Sequence, residues 1–99
     1  MKAPDDCQTM SDVRAGVDSL DAQLVALLAR RFGYMAAAAR IKPSRDAVRD
    51  EARKAQVIAN AEAGAIGAGI PAGVVTDLWE SLVEASIAYE LTVWDRLRR

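Results

Sequence analysis

Arg31 and Lys42 are the residues of this chain best placed to do chemistry. From Val13 onward, apolar residues recur at alternating steps of four and three: Val13, Val17, Leu20, Leu24, Leu27, then Arg31, then Tyr34, Ala38 and Ile41. That spacing is a helix–helix packing stripe, and Arg31 falls inside it. Lys42 stands just past its end, about 20° from Arg31 around a helix of 3.6 residues per turn. A guanidinium in a packing seam is costly unless an anion meets it. The pair therefore predicts an anion pocket inside a helical bundle. Some 16 Å of helix rise separates the two residues, a span over which two long side chains can close on one small dianion. Arg14 lies roughly 25 Å from Arg31 along the same helix and cannot join that site within one chain. In an antiparallel dimer of first helices, Arg14 of one chain would approach Arg31 of the other, giving two symmetric sites.

The same residues have plain structural uses. Arginines on helices commonly snorkel to solvent or pair with carboxylates, and Arg31 can serve as half of a buried ion pair. A lysine at position 42 complements the helix dipole whatever else it does. Ser86, on an apolar stripe, is the kind of small residue that bonds back to its own helix. Glu90, beside that stripe, is harder to dismiss, because carboxylates rarely enter a seam unpaired.

Much chemistry is excluded by what is missing. The chain has no histidine and one cysteine, Cys7, so a catalytic triad and the ordinary neutral-pH base are absent. Cys7 has no basic partner close in sequence to make it a thiolate. Only carboxylates are left as metal ligands, which argues against a metal site, and no cofactor is expected. Carboxylates remain available for acid–base work, but no paired arrangement stands out, so binding and electrostatics must carry most of any rate enhancement.

The elements that position these residues follow from the pattern. Residues 1–10 read as a short arm, with Thr9 or Ser11 capping a first helix from about Asp12 to Ile41. Pro43 ends it. Residues 43–49 form a charged loop, and a second helix runs from about Asp50 to Ala63. Gly64–Gly69 reads as a linker; no Gly-Lys-Ser/Thr follows, so it is not a phosphate-binding loop. Pro71 opens a third helix, about Ala72 to Leu97, carrying Val75, Trp79, Leu82, Ser86, Val93 and Leu97 along one side. No stretch alternates as a strand does, so the fold class is all-α in one domain over residues 1–99.

Ninety-nine residues bury only a modest core, and a lone cysteine supplies no internal disulfide. The first helix, roughly 45 Å long, outruns two shorter helices, so a partner chain is expected to cover it. Thirteen basic against 14 acidic residues give a net charge of −1, which disfavours a dedicated nucleic-acid binder. The polar opening, Met1 to Asp6, lacks the charged start and apolar run of a signal peptide. No stretch approaches a membrane span. The expectation is a soluble cytoplasmic protein.

As a combined pattern, these residues resemble the all-helical, type II chorismate mutases and their sister group, the isochorismate pyruvate lyases. The likeness is densest in Asp12-Val13-Arg14, Val17-Asp18-Ser19-Leu20-Asp21 and Leu24-Val25-Ala26-Leu27-Leu28-Ala29-Arg30-Arg31. It continues through Ile41-Lys42 and Val48-Arg49-Asp50-Glu51-Ala52-Arg53. Met1 to Cys7 are more like the lyases, whereas Ser86 and Glu90 stand at the mutase spacing. The resemblance implies three helices per chain intertwined as a homodimer around a dianionic substrate. It implies that Arg31, Lys42 and Arg53 bind carboxylates and the ether oxygen, with Arg14 donated by the partner chain. Asp50 would position the substrate hydroxyl or the lysine, and Ser86 would contact a ring carboxylate. Glu90 would replace a glutamine that donates a hydrogen bond to the ether oxygen. The implied reaction is the pericyclic rearrangement of chorismate to prephenate, with isochorismate cleavage to salicylate and pyruvate as the alternative. A non-catalytic helical dimerisation module is a third reading.

Two residues depart from the mutase pattern. Lys54 stands where a glutamate usually holds the substrate hydroxyl. Glu90 stands for glutamine, and an ionised glutamate cannot donate a hydrogen bond. The sequence thus predicts a site that works with Glu90 protonated and gains turnover toward pH 5. Residues 43–49, joining Lys42 to Asp50 and Arg53, are expected to act as a lid.

Overall fold

Helix α1 spans Met10–Ile41, α2 Glu51–Gly67 and α3 Val74–Leu97, with 3-10 turns at Pro4–Asp6 and Arg45–Ala47 and no strand. The computed structural model describes every residue from Met1 to Arg99. It comprises two compact units, Met1–Gly33 and Tyr34–Arg99. No helix is long and apolar enough to cross a membrane.

In the first unit, α1 begins two residues earlier than the sequence predicts, because the cap is Thr9. The Asp12 amide donates to Thr9 Oγ1 (3.1 Å), while the Asp12 carboxylate accepts from the Gln8 amide (3.1 Å) and from Lys2 Nζ (3.3 Å). This reciprocal arrangement satisfies one orphan amide of the helix and the Gln8 amide just before the cap. It also holds the Asp12 carboxyl below its ordinary range, chiefly through the Gln8 amide and then Lys2. Cys7 is half-buried, and its thiol donates to the Ala3 carbonyl at 3.5 Å. The stripe Val13, Val17, Leu20, Leu24 and Leu27 is between 38% and 56% exposed.

The second unit is built on Val48, Val83 and Ile87, with Val57, Ile58, Trp79, Leu91 and Trp94 packed around them. Ala39, near the end of α1, is fully buried. On α3 the buried residues are Val83, Ser86, Ile87, Glu90 and Val93. The buried face is thus turned by about one position from the predicted stripe. Val83 and Ile87 join it, and Leu97 stays in water.

Two boundaries correct the sequence reading. Gly64 to Gly67 are helical rather than a linker, because the stop signal acts later. Gly69, at φ +77°, makes the left-handed turn that ends α2. Its amide donates to Ile66 O (3.2 Å) and the Ile70 amide to Ala65 O (3.0 Å), the paired bonds of a Schellman motif. Nor does Pro71 open α3. Gly73, at φ +87°, caps that helix, and its left-handed backbone separates Pro71 from Val74, the first helical residue.

The segment 43–49 is pinned rather than loose. Val48 is 3% exposed within the core. Arg45 grips Asp95 through Nε (2.9 Å) and Nη2 (3.3 Å). The lid expected from its polar sequence is not what the structure shows, since Val48 anchors it through an apolar contact. The start of α2 is fastened to α3 by a charge network. Arg49 donates to both oxygens of Glu84 (2.8 and 3.1 Å) and to Glu51 (2.8 Å). Lys54 Nζ bridges Glu80 (2.7 Å) and Glu84 (2.9 Å). These cations, Arg49 foremost and then Lys54, pull the Glu84 carboxyl down to about 2.

Candidate active site

Lys42 is the first residue beyond α1, and α3 determines where it sits. Its amide still donates to Ala38 O (2.8 Å), but the following Pro43 cannot continue the helix. The ammonium group crosses to α3 and donates to Glu90 Oε2 at 2.9 Å, and it also donates to Val48 O at 3.2 Å. An ammonium carries three donors, so one N–H remains for a further acceptor. Glu90 is buried, and Lys42 keeps 29% of its side chain exposed. The pair therefore sets a partly exposed cation against a buried carboxylate.

Ser86 is buried one turn before Glu90, and its hydroxyl donates to Leu82 O at 2.7 Å. The structure thus brings Lys42 and Glu90 into contact and sets Ser86 on the same buried face of α3. Asp50 and Arg53 form a second cluster. Asp50 is the N-cap of α2, and its carboxylate accepts from the Arg53 amide at 3.0 Å. The Arg53 side chain is exposed and donates to Gln56 Oε1 at 2.7 Å. In the first unit, Arg31 is half-buried on α1 and Arg14 is exposed.

Lys54, where the mutase pattern has a glutamate, is held between Glu80 and Glu84. Its ammonium joins α2 to α3 through these two carboxylates.

Residues 13–91 match the chorismate mutase type II family. The chain belongs to that family. A further relative is an isochorismate pyruvate lyase of Pseudomonas aeruginosa. The two are 32% identical over 98 residues, which covers 99% of this chain and 97% of the relative. As a member of the chorismate mutase type II family with such a relative, the chain is an enzyme, an isomerase or a lyase. The reading as a non-catalytic dimerisation module is thereby set aside.

Three features of this chorismate mutase type II chain were not singled out from sequence. The Val48 carbonyl on the Lys42 ammonium has no side-chain signal at all. Trp94 and Arg98 meet the end of α1, and the steps of four from Glu90 to Trp94 and from Trp94 to Arg98 were the available clue. The pairing of Lys54 with Glu80 and Glu84 crosses two helices and leaves no local trace.

Proposed function

We propose that the protein is a chorismate mutase acting as a cytoplasmic homodimer, converting chorismate to prephenate in a cationic pocket that two chains share. The observation that carries this reading is the contact of Lys42 with the buried Glu90, one turn from Ser86 on α3. A group at position 90 that can donate, beside a lysine with one free N–H, suits an ether oxygen that gains negative charge as its bond to carbon breaks. Stabilising charge as it develops, with groups already in place, is how a site without a histidine base accelerates such a step. In this reading Arg31 and Arg53 meet the substrate carboxylates with Arg14 of the partner subunit, while Asp50 orients the substrate or the lysine. Ser86 contacts the ring carboxylate. The exposed stripe from Val13 to Leu27 supports the dimer, because apolar area of that extent gains by burial against a second copy.

A second reading, isochorismate pyruvate lyase, is favoured by the relative that aligns with nearly the whole chain. The engagement of Lys54 with Glu80 and Glu84 supports it too, since no carboxylate stands at position 54 to hold the hydroxyl of chorismate.

A paired assay with chorismate and isochorismate, each at pH 5 and pH 7.5, separates the two. Prephenate from chorismate supports the mutase. Salicylate and pyruvate from isochorismate, with little prephenate, replace it by the lyase. Consumption of neither substrate overturns both.

A further inference from the structure

We propose that Trp94 and Arg98, in the last turns of α3, are positioning residues that set the location of Lys42. This rests on the assignment of Lys42 to substrate binding made above, and it concerns how that lysine is held.

The final carbonyls of an α-helix have no partner within the helix. At the end of α1 they are met from α3. Arg98 Nη1 donates to Ala39 O (3.0 Å), and Nη2 donates to Lys42 O (3.0 Å) and Arg40 O (3.4 Å). Trp94 Nε1 donates to the same Lys42 carbonyl at 3.2 Å. The Arg98 guanidinium lies 4.2 Å from the centroid of the Trp94 ring, so each of these residues fixes the other. Only the forked, planar guanidinium can span three carbonyls in this way.

The second observation is register. Glu90, Trp94 and Arg98 follow one another at steps of four, a single ridge along α3. Glu90 takes the ammonium of Lys42, and the next two members of the ridge take its carbonyl. The lysine is therefore referenced to one rigid helix at both ends of the residue. The adjoining Asp95 holds Arg45, and the segment so anchored presents Val48 O to the same ammonium. An isolated surface arginine has no reason to reach this set of acceptors.

The consequence is kinetic. The Lys42 amide closes the last bond of α1, but its carbonyl, ahead of a proline, has no acceptor role in the helix, so the helix fixes this residue from one side only. A small rotation there is amplified over a four-carbon side chain. Displacement of a binding group by about 1 Å costs on the order of 100-fold in rate, and partial loss of the clamp is expected to cost about tenfold.

A double-mutant cycle tests this. Arg98→Met is combined with Lys42→Met, and kcat/KM is measured at a temperature where circular dichroism shows every variant folded. Chorismate and isochorismate are both assayed. Arg98→Met alone is expected to lower kcat/KM about tenfold, and Trp94→Phe to lower it less. In the Lys42→Met background, Arg98→Met should change nothing further. Where Lys42→Met leaves no measurable turnover, the same cycle is read on the dissociation constant of chorismate by calorimetry. Equal losses from Arg98→Met in both backgrounds would overturn the proposal, since the residue would then act by charge or general stability. Arg98→Lys keeps the charge without the fork and is expected to lose as much as methionine. Full activity in the lysine variant overturns the proposal, and the same variant serves if Arg98→Met does not fold. If Lys42→Met itself leaves turnover intact, the assignment of Lys42 fails, and the positioning proposal falls with it; that outcome is distinct from an additive cycle.

Discussion

Oε2 of Glu90 accepts a 2.9 Å hydrogen bond from Nζ of Lys42, with the carboxylate almost wholly out of water and the ammonium partly in it. The arrangement sets two uses of Glu90 against each other. As a carboxylate it neutralises the lysine and repels a dianion; as a carboxyl group or an amide it can donate a hydrogen bond.

Glu90→Gln is therefore expected to raise kcat/KM at pH 7.5 by roughly tenfold, the size of effect of one charge-assisted hydrogen bond. The check is kcat/KM of both proteins with chorismate at pH 7.5. Equal values would remove Glu90 from the reacting centre.

Removing the lysine from this pair is expected to cost stability as well as turnover. Lys42→Met leaves the Glu90 carboxylate buried without its cation, and breaking a fully buried pair costs about 3–5 kcal/mol. The ammonium is partly solvated, so a smaller loss, about 2 kcal/mol, is expected here. Urea denaturation at pH 7 measures it. Adding Glu90→Gln should recover much of the loss, because no buried charge then remains.

Acid should loosen the junction of α2 and α3. The Glu84 carboxyl is held at about 2 by Arg49 and Lys54, against an ordinary 4.5. Because the folded value is the lower one, the stabilisation is complete above about pH 4.5 and is lost as pH falls toward 2. Asp95, lowered by Arg45, acts in the same direction. Tm measured between pH 7 and pH 2 is expected to fall further for the native protein than for Glu84→Gln, so that the two converge at the acid end. Glu84, Arg49, Arg45 and Asp95 are well exposed, so the difference at pH 7 should be small and shrink further in 1 M salt.

What the sequence revealed and what it hid divide by range. The α1 stripe and its arginine were legible, because a 3.6-residue period is written in consecutive residues. So were Ser86 and Glu90 as members of one helix face. The end of α2 was misread because three glycines, Gly64, Gly67 and Gly69, lie there and only Gly69 carries the left-handed turn; composition alone does not say which. Lys42 was legible as a cation at a helix end. Its partners Glu90, Trp94 and Arg98 lie about fifty residues away, and only the folded chain brings them together. Lys54 was visible as a departure from pattern, but its two carboxylate partners on α3 were not.

The apolar stripe of α1 gives the last prediction. Val13, Val17, Leu20, Leu24 and Leu27 are largely exposed within one chain, and each large aliphatic side chain gains about 1.5–3 kcal/mol when fully buried. A second copy that covered the stripe would bury it twice over, once from each chain. Sedimentation equilibrium is expected to give twice the 10.6 kDa of the single chain. Leu20→Glu combined with Leu24→Glu should shift the protein to monomer. Turnover should vanish with the dimer, because Arg14 would no longer reach a neighbouring site. Mixing this variant's chains with Arg14→Ala chains would not restore it if the charged stripe prevents pairing. Mixing Arg14→Ala with Lys42→Met chains, both with intact stripes, should restore activity, since one of the two sites in each mixed dimer then has both residues. A native protein that sediments as a monomer while fully active would rule out the shared pocket.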